Sequence, residues 1–236
     1  MAAVPIQRVM TFGEWGGWRP GAGRKPSRKP SRRVAHRVRP RINGREPLHV
    51  TLRVVSDVRN LRTKSKHRVI RSCFAAACSR KGFRITDWSI QGDHLHLLVE
   101  ARDRASLSRG MQSFSVRVAR GLNRVLGRRG GVFEGRYHVR VLRTPREVRN
   151  AKAYVLNNRR RHLKRGGSFV FERWIDPFSS WAWSGGWRDC PANWIRSARA
   201  GPEGTPPVAE PRTWLLRVGW RRHGLIPINE VPKGSV

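Results

Sequence analysis

Acidic residues are scarce in this chain: 15 Asp and Glu stand against 50 Lys and Arg, a formal charge of +35 over 236 residues. A positive surplus of that size opposes compaction and acts on every polyanion nearby, so it calls for a partner of opposite charge. Nucleic acid is the default, because each neutralised phosphate releases a counterion and strengthens binding. A ribosomal or histone-like structural protein fits the charge equally well, so charge selects a partner and not an activity.

Cysteine is also sparse. Cys73, Cys78 and Cys190 are too few and too irregularly spaced for a disulfide scaffold or a zinc ribbon, and the first two fall in a small-residue run that reads as a buried helix face. Long apolar runs are missing, and none approaches the roughly 20 residues that span a bilayer. Met1 to Met10 lacks the apolar stretch of a secretory signal. The expectation is no membrane association and a cytoplasmic, nucleoid-associated bacterial protein. Tyrosine occurs only twice, at Tyr137 and Tyr154, which narrows any search for a phenolic nucleophile.

What is present begins with a basic stretch. Residues 19–45 hold eleven Lys or Arg and no acid, interrupted by Gly and Pro. Such a composition builds no core, so residues 1–46 are expected to form a disordered basic arm. Arg24 and Lys25, in Gly23-Arg24-Lys25-Pro26, suit a narrow minor groove, although a solvated nonspecific tail is the more ordinary reading.

From position 47 the pattern becomes regular. Leu48, Val50, Leu52 and Val54 alternate with His49, Thr51 and Arg53, a strand with one polar face. Residues 61–81 read as a helix stopped by Gly82, and 83–91 as a strand in which Trp88 breaks the alternation and suggests a bulge. Gly92-Asp93 reads as a two-residue hairpin with Gly at positive φ, leading into a strand from His94 to Glu100. Ser106 is a plausible cap for a helix to about Leu126, whose apolar residues recur at three- and four-residue steps. A strand over 132–142 and a helix over 146–162 follow. This order predicts an α+β, ferredoxin-like (RRM-like) fold: a four-stranded antiparallel sheet with two helices on one face, plus an extra helix. Residues 47–165 form that domain. Residues 166–236, with seven of the ten tryptophans at or after Trp174, are expected to pack on it as a Trp/Arg-rich extension, although such a composition also stacks unpaired bases.

The chemistry lies where the last strand of the hairpin meets the last helix. In His94-Leu95-His96-Leu97-Leu98-Val99-Glu100, both imidazoles project from one face while Leu95, Leu97 and Val99 enter the core. Two imidazoles held that way make half of a metal site, with Asp93 and Glu100 flanking them. Tyr154 and Asn158, four apart on a helix, share a face. Asn158 offers a neutral oxygen as third ligand, leaving positions open for water and phosphate. Tyr137 has the parity of Val139 and Val141 and reads as a packing residue. Tyr154 precedes a basic run, Arg159-Arg160-Arg161, and neighbouring cations lower the cost of forming a phenolate.

Three segments together, Gly92 to Val99, Gly131 to Tyr137 and Tyr154 to Asn158, resemble the single-tyrosine HUH transposases, and within them the REP-associated tyrosine transposases. The resemblance spans residues 47–165. It implies that His94 and His96 are the metal-binding pair, Asn158 the third ligand and Tyr154 the nucleophile, with Mg²⁺ or Mn²⁺ as cofactor. It further implies cleavage and rejoining of single-stranded or hairpin DNA through a 5′-phosphotyrosine link, by a monomer or homodimer. The chain departs from many relatives at Gln91-Gly92-Asp93, before the first histidine, and at Arg159-Arg160-Arg161, after Asn158. Arg53, Arg136, Arg140, Arg159, Arg160 and Arg161 are expected to hold the DNA backbone. Two rivals use the same architecture: a non-catalytic nucleic-acid-binding regulator, and a metal-dependent nuclease that activates water.

Overall fold

The computed structural model describes residues 40–200 and 205–233. Five strands form one antiparallel sheet: β1 (Leu48–Arg53), β2 (Ser79–Arg80), β3 (Phe83–Ile90), β4 (His94–Ala101) and β5 (His138–Val141), in the order β2-β3-β4-β1-β5. The split βαβ arrangement expected from the sequence is there, with the two-residue β2 added as a fifth, edge strand. Between the strands run α1 (Lys64–Ala77) and α2 (Arg104–Val125), and α3 (Pro145–Arg165) follows β5.

Strand alternation divides the sheet into two faces. Leu48, Val50, Leu52, Leu95, Leu97 and Val99 join Ile70 and Phe74 of α1 and Met111, Phe114 and Val118 of α2 in one buried core. Phe74 sits between Trp88 and Phe114, with ring centroids 4.6 and 4.7 Å away. On the opposite face Leu98 packs with Val148, Ala151, Val155 and Leu156 of α3 and with Trp220. The histidine-bearing face is therefore not open, as a two-helix arrangement would leave it. α3 lies across it.

A bulge in β3 decides what that face presents. Pairing with β4 shifts between Ile85 and Asp87, leaving Thr86 as the extra residue. One inserted residue exchanges the faces of everything after it. Ile85 thus lies in the first core together with Trp88 and Ile90, while Asp87 turns toward α3. The broken alternation at Trp88 has this cause.

Other boundaries differ in ways that local chemistry explains. The cap of α2 is Asp103, not Ser106: the carboxylate accepts the Ser106 backbone N–H at 2.7 Å, so the helix begins three residues earlier. Gly92 does not take positive φ. β5 is only four residues long, and Phe133 instead bridges to Val54 ahead of it. α3 starts with a capping box, in which Thr144 and Glu147 satisfy each other's backbone N–H groups. Cys73 and Cys78 are free and buried.

Of the expected basic arm, residues 1–39, including Arg24 and Lys25, lie outside the described residues. Residues 40–46 are irregular, and Ile42 packs against the first core. Two short helices, α4 (Ala192–Arg199) and α5 (Trp214–Arg217), belong to the C-terminal part, which contributes Ala209 to the first core and Leu215, Leu216, Trp220 and Ile226 to the second. Among the described residues no helix is long and apolar enough to cross a membrane.

Close packing of α2 on the sheet depends on Gly110, where a Cβ would come within 2.3 Å of the Phe83 ring. That ring is itself buried in the core and has nowhere to move. Gly110→Ala is expected to destabilise the fold by about 1–3 kcal/mol despite the better helix propensity of alanine. Urea unfolding would show it as a lowered midpoint with unchanged slope.

Candidate active site

Register brings the polar residues together. Arg53 stands opposite His94 and Thr51 opposite His96, with His49 one pair further along β1. His94 and His96 turn their Nε2 atoms toward each other, 2.9 Å apart. Their other ring nitrogens are held from behind. The Asp93 carboxylate pairs with His94 Nδ1 at 2.6 Å, while Thr51 Oγ1 and His49 Nε2 each lie 3.2 Å from His96 Nδ1. Arg53 closes the chain by pairing with Asp93 at 3.0 Å and Glu134 at 3.4 Å.

Electrostatics keep the inner imidazoles neutral. Burial, followed by the charges of His138, Arg140 and His94, pushes His49 down to about 4. Burial, with His49, His94 and His162 nearby, holds His96 well below the ordinary histidine range. Burial works against the Asp93 charge, but the His94 hydrogen bond and the charges of His94 and Arg53 outweigh it and hold the carboxyl below its usual range. A carboxylate behind His94 fixes the proton on Nδ1 and leaves Nε2 with a free lone pair, the arrangement found behind metal-bound histidines.

α3 supplies the rest. Tyr154 and Asn158 face the sheet one turn apart, and both are buried. The Tyr154 ring meets His96 edge-on at 5.1 Å between centroids and His49 at 5.8 Å. Arg161 lies over the same ring, its guanidinium carbon 5.9 Å from the centroid. Asn158 is wholly buried, and neither its Oδ1 nor its Nδ2 has a hydrogen-bond partner. An unpaired buried amide costs about 1–3 kcal/mol and calls for an explanation.

A cation would provide one. Two nitrogen ligands at about 2.1 Å in neighbouring positions around a metal lie about 3 Å apart, close to the 2.9 Å between the two Nε2 atoms. Among the described residues no three His, Cys, Asp or Glu side chains form a metal-holding group. The candidate donors are His94, His96 and the otherwise orphaned oxygen of Asn158.

Residues 47–158 match the family model described as "Transposase IS200 like". Over these residues the chain is similar to the IS200-like transposases. Two solved structures resemble this chain. One is a REP-associated tyrosine transposase bound to a REP hairpin, with 16% identity, 64% of this chain and 85% of that one covered, and a TM-score of 0.49. The other is a Deinococcus radiodurans R1 protein assigned provisionally as a transposase, with 12% identity, coverage of 41% and 78%, and a TM-score of 0.35. No curated protein matches the chain.

The arginines divide in the structure. Arg136 is exposed, and Arg159 and Arg161 are half-buried near the end of α3. Arg53 is tied to Asp93 and Glu134 yet leaves 57% of its side chain exposed. Arg140 pairs with the capping Glu147 at 3.2 Å. Arg160, expected on the DNA backbone, is instead 1% exposed and donates to three loop carbonyls, so it cannot reach a phosphate. Glu100 also leaves the site: it accepts the backbone N–H groups of Arg212 and Thr213. The supporting roles of His49 and Thr51 had no sign in the sequence beyond their parity on β1.

Proposed function

We propose that this chain is a metal-dependent tyrosine strand transferase that cleaves and rejoins single-stranded or hairpin DNA, as the REP-associated subgroup does. The observation that carries the reading is the pair of His94 and His96 nitrogens lying against the Tyr154 ring, with the unpartnered Asn158 amide one turn along the same face of α3. Residues 47–165 are the catalytic domain in this reading.

Mg²⁺ or Mn²⁺ held by His94, His96 and Asn158 would polarise the scissile phosphate and help orient it for in-line attack. The remaining roles fall to the side chains. Asp93 fixes the His94 tautomer, and Thr51 and His49 fix His96. Tyr154 loses its phenolic proton and its oxygen attacks phosphorus. One P–O bond to tyrosine forms as the P–O3′ bond breaks, and the departing 3′ oxygen takes up a proton. The number of phosphoester bonds is unchanged, so the 3′-OH can attack the 5′-phosphotyrosine and rejoin the strand without an external energy source. Arg161 over the Tyr154 ring favours the developing phenolate. Arg136 and Arg159, with the outer face of Arg53, would meet phosphates.

A denaturing gel of the full chain with end-labelled hairpin DNA and Mn²⁺ tests this. A covalent protein–DNA adduct supports the transferase. Cleavage without an adduct indicates a nuclease that activates water, and binding with neither indicates a regulator. Asp93→Asn should weaken Mn²⁺ binding by about 10–100-fold, because the charge that steadies His94 is lost while the ring nitrogen keeps a partner. Titration of Mn²⁺ followed by calorimetry would show it, and an unchanged affinity would remove Asp93 from the site.

A further inference from the structure

At the end of α3 two aromatic rings stand in water. Phe169 is 82% exposed and Phe171 72%, and their rings meet edge to face with centroids 5.1 Å apart. An exposed phenylalanine forgoes about 2 kcal/mol of burial, and this loop forgoes it twice within three residues. The loop is also well anchored. The chain leaves α3 through Gly167 at φ +72°, with the Ser168 N–H donating to the Leu163 carbonyl at 2.9 Å. The buried Arg160 guanidinium then donates to the carbonyls of Phe171, Glu172 and Trp174 at 2.9, 3.0 and 2.7 Å. Burying a guanidinium is costly unless its donors are satisfied; here Nη2 is satisfied by the backbone that carries the rings, while the buried Nε has no partner.

The surroundings say what covers the rings. Residues 159–173 contain Arg159, Arg161, Lys164, Arg165 and Arg173 besides Arg160, and one acid, Glu172, which accepts a hydrogen bond from Asn229 at 3.1 Å. So positive a rim disfavours an ordinary apolar protein surface. Flat, apolar faces attached to phosphates meet both demands, and exposed aromatics beside arginines suit unpaired bases.

We propose that Phe169 and Phe171 form a stacking platform for unpaired DNA bases next to the Tyr154 site. The proposal rests on the strand-transfer reading for the identity of the nucleic acid. Eleven residues of helix, roughly 16 Å, separate Tyr154 from Arg165. At about 3.4 Å per stacked nucleotide, the platform meets bases some five positions from the phosphate at Tyr154.

The test uses fluorescence anisotropy of the full chain with a labelled hairpin carrying a single-stranded flank, over a salt series. Phe169→Ala/Phe171→Ala should bind about 5- to 150-fold more weakly for each base released. The slope of log affinity against log salt should stay the same, because no phosphate contact is removed. A blunt hairpin should bind both proteins equally, and Phe169→Trp/Phe171→Trp should keep wild-type affinity. Abasic sites placed along the flank should weaken the wild type near the fifth position and add nothing in the alanine variant, as expected when the two changes remove one contact. Equal affinity of wild type and alanine variant, a changed salt slope, or additive losses would each overturn the platform. Failure of the wild type to bind the flanked hairpin would overturn the DNA reading itself.

Discussion

Replacing Tyr154 by phenylalanine should abolish covalent attachment of the chain to DNA while leaving DNA binding within a few-fold of wild type. The substitution deletes one oxygen and keeps the ring that packs against His96 and His49, so α3 has no reason to shift. No other phenol can take over: the second tyrosine, Tyr137, packs against the core on the far side of the sheet from α3. His94→Ala should also lose the adduct, but through a different failure, since the phenol remains and cation binding goes. A denaturing gel with labelled hairpin and Mn²⁺ separates binding from attachment for both variants. An adduct that survives in Tyr154→Phe would reject the assignment of the nucleophile and, with it, the 5′-phosphotyrosine route.

How much of this site could be read from residues alone depended on whether a local period or a distant contact set each position. Alternation in His94–Glu100 and helical spacing of Tyr154 and Asn158 are local, and they placed the imidazoles, the phenol and the amide on the correct faces. Alternation in β1 likewise put His49, Thr51 and Arg53 on the histidine side, but the cross-strand register that sets Thr51 against His96 is not visible along the chain. Arg160 shows the limit most plainly. In sequence it is one of three consecutive arginines and reads as solvated, whereas helical rotation of about 100° per residue turns it inward, where it ties down a loop eleven to fourteen residues away. Ser106 and Asp103 are both good caps by type, and only the backbone geometry chooses between them. Trp88 announced a bulge, but not that the bulge would turn a carboxylate toward α3.

That carboxylate gives the largest stability prediction. Lys152 Nζ lies 2.7 and 2.8 Å from the two oxygens of Asp87, with side chains only 7% and 1% exposed, and 5.6 Å from the centroid of the Trp220 ring. Removing one member of such a pair leaves a buried charge with no counterion, so Lys152→Met should cost about 3–5 kcal/mol, read as a lowered urea midpoint or as loss of soluble protein. Replacing both, as Asp87→Leu/Lys152→Met, removes the uncompensated charge and should recover most of that loss, because buried ion pairs exchanged for apolar groups of similar volume are often neutral. The reason for keeping the pair is then placement rather than stability. Lys152 precedes Tyr154 by two residues, and only one register of α3 over the sheet lets its ammonium reach Asp87. The double variant separates the two roles: recovered stability with poor adduct formation would mean the ion pair sets where the phenol sits. A cost below about 1 kcal/mol for Lys152→Met would show that water reaches Asp87 and that apolar packing of Val148, Ala151 and Val155 alone seats the helix.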